Sequence, residues 1–388
     1  MSIPKQICMS LLVVFLSTIP VIAQELVKEK DIVIYQDERF YSAFPSIIMR
    51  PDGELITAFR RAPERRYLGE ASTDHTDPNS YLVLVRSQDN GETWSTEPEL
   101  IFAHPFGGSQ DPCLIQLKNN NLLCSSYGWA RIQPEVAEKI DTIVHDGGFV
   151  FMGGYLLQSE DGGKHWSGPI IPPPVPGKTE QNLFKEPCPA YNRGPMWEGR
   201  DGLLYWAVAC RADSESGRTE VHLMVSPDGG STWDYRCPIA TDPEITFNET
   251  ALIETQKGTL IAFLRTAYLD DHTVVARSED GGKSFLPWED TGFKGHPHCA
   301  TCLPDGRILL VYGYRHKPYG IRARILDPEA TNFADSTEIV LREDGGNSDL
   351  GYPWVTAMAD GRYLVVYYFN QDNGIRHIAG SILSLNSE

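Results

Sequence analysis

Short apolar runs alternate with compact turns along the chain, and six segments share one layout. Each has an apolar strand, a turn of Asp-Gly type and a second apolar strand: PSIIMRPDGELITAFR, PCLIQLKNNNLLCSSY, PMWEGRDGLLYWAVAC, TALIETQKGTLIAFLR, HCATCLPDGRILLVYG and PWVTAMADGRYLVVYY. Asn119-Asn120 and Lys257-Gly258 replace Asp-Gly in the second and fourth copies. Runs of Val, Ile, Leu, Tyr and Phe on both sides of such turns predict β-hairpins. A third strand follows the hairpins and leads into a repeated box: SQDNGETW at 87–94, SEDGGKHW at 159–166, SPDGGSTW at 226–233 and SEDGGKSF at 278–285. GIRARILDPEATNF is a decayed fifth copy without the glycine pair. Hairpin, third strand, box turn and fourth strand make one four-stranded antiparallel blade. Six hairpins predict an all-β, six-bladed β-propeller. The strand DIVIYQ near the N-terminus is expected to complete the last blade and close the ring. Only PEVAEKI at 134–140 reads as a short helix.

The box is a turn device. Its Ser and Asp can accept hydrogen bonds from backbone amides, its glycines tolerate positive φ, and its aromatic ring plugs the gap between strands. These residues are therefore expected to be scaffold and not to touch substrate.

The first residues add a leader. Lys5 is followed by an apolar run to Ile22 and small residues up to Ala23, the pattern of a secretory signal peptide over 1–23. Ser17, Thr18 and Pro20 interrupt that run, which weighs against a retained membrane span. Residues 24–388 are then expected to form one propeller domain in a secreted or periplasmic protein. Seven cysteines remain after the leader, an odd number; none has zinc-ligand spacing, and Cys299–Cys302 lies in a strand-like segment. They read as core thiols. No cofactor or metal is implied. The net charge of −18 argues against nucleic acid and anionic membrane surfaces as partners. Against that background a local cluster of arginines is informative.

The six hairpins superpose by their turns. The residue eight before each turn then falls at one end of the ring: Phe44, Asp111, Arg193, Glu249, Pro297 and Tyr352. The returning strand brings Arg60, Arg211, Arg265, Arg315, Tyr127 and Tyr368 to a similar height. Arginines form planar forks that bind carboxylates, and a Tyr beside a Glu can act as a nucleophile with its base.

The boxes look like Asp-boxes, and six blades carrying them resemble the sialidase (neuraminidase) superfamily of Asp-box, or BNR-repeat, proteins over nearly the whole mature chain. The resemblance implies an exo-acting glycoside hydrolase for a terminal, acidic sugar on a glycan. NETALIETQKGTLIAFLR resembles the segment with the basic Glu and a triad Arg, which maps Glu249 and Arg265. LGYPWV resembles the nucleophilic Tyr segment and maps Tyr352, although Pro353 stands where Ser is usual. STDHTDPNSYLVLV resembles the acid/base loop, with Asp74 the better match and Asp77 the fallback. YGYRHKPYGIRAR offers Arg315 or Arg322 for a further triad Arg. Sialidases open the first blade with Arg-Ile-Pro; here Ala43-Phe44-Pro45 stands there. Arg60 or Arg61 could substitute for the missing Arg, or Phe44 could mark a more apolar sugar face. His296 and His298 in GHPHC also fall at the mouth, and Asp111 and His298 join the expected substrate contacts. The alternatives are a hydrolase or lyase for a uronic acid, arabinose or rhamnose unit on the same fold, and a glycan-binding propeller without catalysis.

Overall fold

The computed structural model describes residues 25–70, 76–137, 139, 148–178, 180–212, 217–371 and 374–386. Six antiparallel sheets form the blades. Blade 1 comprises Phe40–Met49, Leu55–Pro63, Tyr81–Ser87 and Glu99–Phe102. In blade 2 the inner strand is broken into Gly108–Ser109 and Cys113–Gln116; Leu122–Arg131, Phe149–Ser159 and Ser167–Ile170 follow. Blade 3 is Trp197–Glu198, Leu204–Arg211, Thr219–Ser226 and Asp234–Ala240. Blade 4 is Thr246–Glu254, Leu260–Ala267, His272–Ser278 and Glu289–Lys294. Blade 5 is His298–Cys302, Ile308–Tyr314, Gly320–Leu326 and Ile339–Arg342. Blade 6 joins Gly351–Ala357, Tyr363–Phe369 and His377–Asn386 to the N-terminal strand Glu25–Tyr35. The expected closure is thus present: Glu25 pairs with Asn386 and Tyr35 with Ile378, so the first and last described strands share one sheet. The expected short helix is Pro134–Ala137.

Each blade is covered on both faces by its neighbours. Its middle strands are therefore continuous apolar runs rather than alternating ones. Tyr363–Phe369 (YLVVYYF) is buried throughout. Ile56, Ala58, Leu82 and Leu84 of blade 1 pack on Leu114, Leu122, Tyr155 and Leu157 of blade 2. Burying each such side chain contributes about 1.5–3 kcal/mol before entropy is counted. Cys113, Cys124, Cys210, Cys237 and Cys299 are buried, in keeping with core thiols. Among the described residues no helix is long and apolar enough to cross a membrane.

The boxes connect third to fourth strands as the sequence implies. In the second, Ser159 Oγ donates to Asp161 Oδ1 (2.9 Å) and accepts from Gly163 N (2.8 Å), while His165 N donates to Asp161 Oδ1 (2.9 Å). Trp166 Nε1 closes the turn on Gly163 O at 3.1 Å. Gly162 and Gly163 have φ of 76° and 83°, which a side chain would strain. The decayed copy keeps the Asp device, with Asp327 accepting from Thr331 N (3.0 Å), and takes the left-handed turn with Ala330.

Inner strands carry irregularities at one end of the ring, and these set the site. The pairing register slips between Ala43 and Ser46 in blade 1, between Asn248 and Thr250 in blade 4, and between Gly351 and Trp354 in blade 6. A bulge turns one side chain out of the alternating pattern; here those side chains are Phe44, Glu249 and Tyr352. Blade 2 breaks its strand at the matching residue, Asp111. Phe44, Asp111 and Tyr352 have φ of 57°, 22° and 53°. Left-handed non-glycine residues cost about 1–3 kcal/mol each and cluster at functional sites. Pro353, in the bulge after Tyr352, sits where a missing N–H costs no ladder bond.

Candidate active site

A cavity of about 340 Å³ opens at this end, lined by residues from blades 1, 2, 4, 5 and 6, among them Phe44, Asp111, Tyr127, Glu249, Arg265, Arg315, Tyr352 and Tyr368. Eight positions that the turn register placed at the mouth therefore meet around one space. Larger cavities of about 370 and 460 Å³ lie elsewhere, but their linings do not bring a Tyr and a carboxylate into hydrogen-bond contact.

The centre is a phenol, a carboxylate and a guanidinium. Tyr352 OH donates to Glu249 Oε1 at 2.5 Å. Arg265 Nη1 donates to Glu249 Oε2 at 2.6 Å and reaches Tyr352 OH at 3.3 Å. Burial pushes Glu249 upward, but the Arg265 charge and the hydrogen bonds from Tyr352 and Arg265 outweigh it, and its carboxyl is held below the usual range. Burial and the Glu249 charge push the Tyr352 phenol well above its ordinary value. At rest the pair is a neutral phenol beside an ionised base.

Tyr352 is held from behind. The buried Arg193 donates through Nη2 to Tyr352 O (3.0 Å) and to Pro45 O (3.1 Å), so blade 3 grips blades 6 and 1 near the axis. Its guanidinium lies 5.2 Å from the Tyr352 ring and 5.0 Å from the Trp354 ring. Phe44 packs edge-on against Tyr352 (4.7 Å) and Tyr368 (5.0 Å). Ala43, fully buried, stands where the resemblance leads one to expect an arginine, and the Phe44 ring beside it lines the cavity.

Asp111 accepts from Tyr127 OH at 3.0 Å. Burial, with Glu249 adding repulsion against Arg193, Tyr127 and Arg60, pushes its carboxyl from 3.8 up to about 7. A carboxyl raised on folding binds its proton more tightly in the folded state. Its contribution is full below about pH 3.8 and is lost as pH rises through about 7. Asp111→Asn removes that loss. The variant should gain stability over wild type between pH 4 and pH 8, on the order of 4 kcal/mol. Thermal unfolding at the two pH values checks this; an equal difference at both would contradict it.

Arg315 lines the cavity, donates through Nε to Ser348 O (2.7 Å), and has no carboxylate partner among the described residues. Three expected contacts do not line the cavity. Arg322 is buried, donates to Pro318 O at 3.2 Å and also to Arg342 O, and faces Glu338 at 3.4 Å; the arginine of this blade in the cavity is Arg315. Arg60 is fully buried, 5.4 Å from the Tyr41 ring and 5.8 Å from the Phe44 ring. Arg61 pairs with Asp37 at 3.4 Å, so neither replaces the missing arginine in the cavity. His298 is buried with Nε2 2.8 Å from Thr273 Oγ1, and burial pushes it down to about 3, leaving a neutral ring. Asp74 lies outside the described residues. Thr76, two positions on, lines the cavity. The fallback, Asp77, is buried and locked by Arg65 through Nε (2.5 Å) and Nη2 (2.7 Å).

Gln110 and Asp349 also line the cavity and were not marked by the hairpin register. Asp349 accepts from Tyr41 OH (2.9 Å), Tyr368 OH (2.9 Å) and Arg376 Nε (2.9 Å).

The model of the BNR repeat-like domain matches residues 140–365, more than half of the chain. The chain belongs to the BNR repeat-like domain family. This BNR-repeat protein is 53% identical to a protein of unknown function from Dyadobacter fermentans, over 93% of this chain and 99% of that one, with a TM-score of 0.90. Sialidases share the fold at low identity. The Hadza microbial sialidase Hz136 is 18% identical over 89% of this chain and 66% of that chain (TM-score 0.62). The NanB sialidase of Streptococcus pneumoniae is 13% identical over 96% and 72% (TM-score 0.62). No curated protein matches the chain.

Proposed function

We propose that this BNR-repeat protein is an exo-acting glycoside hydrolase working through a tyrosine nucleophile. The observation that carries this is the 2.5 Å hydrogen bond from Tyr352 to Glu249, beside Arg265, at an open cavity. Tyr352 attacks the anomeric carbon as Glu249 takes its proton, while Arg265 steadies the oxygen as charge develops. Asp74, on the segment that ends at the cavity-lining Thr76, protonates the leaving oxygen and then activates water to release the sugar. The phenol suits a sugar bearing a carboxylate at the reacting carbon, since a neutral nucleophile meets less repulsion there. Arg265 and Arg315 support an acidic sugar. Export by the leader ending at Ala23 would place the enzyme with periplasmic or extracellular glycans.

Phe44 favours a second reading, in which the same machinery acts on another sugar. A buried fork to a carboxylate contributes about 1.5–3 kcal/mol, and the aromatic ring offers none of it. Chromogenic sialosides, uronides, arabinosides and rhamnosides separate the two readings. Turnover of sialosides alone supports the acidic sugar, and turnover of another glycoside supports the second reading. Glycan binding without turnover, unchanged in Tyr352→Phe, contradicts both.

A further inference from the structure

A second cluster lies on blade 3, away from the phenol–carboxylate pair. Cys210 is the direct cross-strand partner of Glu220, and His222 is the next residue on the same face of the same strand as Glu220. One thiol sulfur, one carboxylate oxygen and one imidazole nitrogen from these residues all lie within 4.8 Å of one another. His222 is 5% exposed, and its Nε2 has no hydrogen-bond partner among the described residues. That nitrogen is 3.5 Å from Glu220 Oε1. Two ligands about 2.0–2.1 Å from a tetrahedral zinc ion are separated by roughly 3.4 Å. The other ring nitrogen, Nδ1, is 3.3 Å from Tyr235 OH, the kind of outer contact that orients a histidine ligand. Across from the ladder, Lys178 Nζ touches Glu220 Oε1 and donates to Ala212 O at 3.2 Å.

We propose that Cys210, Glu220 and His222 form a site for a divalent transition metal of the zinc type, and that the Lys178 ammonium is the cation the metal displaces. The donor set suits this class: a thiolate and an imidazole favour zinc over magnesium or calcium. Three protein ligands leave a fourth position for water. Binding releases the Cys210 thiol proton to solvent, and Lys178, with a side chain 21% exposed, swings outward still charged. No compact Cys/His motif marks these ligands, because a strand register spaces them. The metal would clamp the second and third strands of blade 3 together, beside the segment that carries Lys178. Tyr191, further along that segment, bridges to Ala209 and lies 5.1 Å from Tyr127, so the site adjoins the cavity's aromatic wall.

The test uses untagged full-length protein stripped with chelator and dialysed, titrated with Zn²⁺ in a calorimeter, with Co²⁺ as a spectroscopic probe. One Zn²⁺ should bind per chain, and Co²⁺ should show a thiolate charge-transfer absorption. Cys210→Ser and His222→Gln should each weaken Zn²⁺ binding by about 100-fold or more. Lys178→Met should strengthen it by about 10-fold, a gain that misfolding does not produce. The proposal is overturned if neither wild type nor Lys178→Met binds stoichiometric Zn²⁺. It is equally overturned if binding survives both ligand substitutions, or if bound Co²⁺ shows no thiolate absorption.

Discussion

Tyr352→Phe is expected to lower kcat by about 10³-fold or more, some 4 kcal/mol of transition-state stabilisation. The substitution removes one oxygen and little else. The ring keeps its contacts with Phe44 and Tyr368 and its place over Arg193. Glu249 keeps its bond to Arg265, so no buried carboxylate is left unpaired. Folding and sugar affinity should therefore stay close to wild type while the bond-forming step fails. Turnover of the glycoside found in the panel, with calorimetry for affinity, checks this. A variant within 10-fold of wild-type kcat would remove Tyr352 as nucleophile.

Glu249→Gln is expected to lower kcat by about 10²–10⁴-fold. The phenol lies far above neutral pH in acidity and cannot attack efficiently without handing its proton to a base. Gln accepts a hydrogen bond from Tyr352 but takes no proton. Two groups acting as a unit are non-additive, so the double variant Tyr352→Phe/Glu249→Gln should be no slower than Tyr352→Phe alone by more than a few-fold. The wild-type acid limb from Glu249 should lie below pH 4.5, because Arg265 and the Tyr352 hydroxyl hold the carboxylate ionised against its burial. Multiplying losses in the double variant would show that the two residues act separately.

The propeller was legible because its turns repeat. Counting eight residues back from each turn found Phe44, Asp111, Glu249 and Tyr352, which bulges or a strand break aim at the axis. Counting forward found Tyr127, Arg265, Arg315 and Tyr368. The same count failed for Arg60 for a physical reason. Arg60 pairs with Ala43 as Arg265 pairs with Asn248, so their backbones are equivalent. The neighbouring bulge residue differs: Glu249 draws Arg265 to the cavity, whereas the Phe44 ring covers Arg60. His298 falls outside the cavity because position at the mouth does not fix which buried partner claims a side chain, and Arg322, offered by the resemblance, is held by backbone carbonyls and faces Glu338. Asp349 was missed because it precedes its hairpin, where no periodicity applies. The cross-strand cluster of Cys210, Glu220 and His222 was invisible because the register between the second and third strands of blade 3, which the hairpin turns do not set, brings those residues together.

In the proposed mechanism Tyr352 forms a covalent bond to the sugar. A fluorinated glycosyl fluoride of the turned-over sugar slows release of such an intermediate, and peptide mass spectrometry locates it. One sugar mass is expected on the peptide bearing Tyr352, absent in Tyr352→Phe. A sugar attached to a carboxylate, or continued turnover with Tyr352 unlabelled, would contradict it.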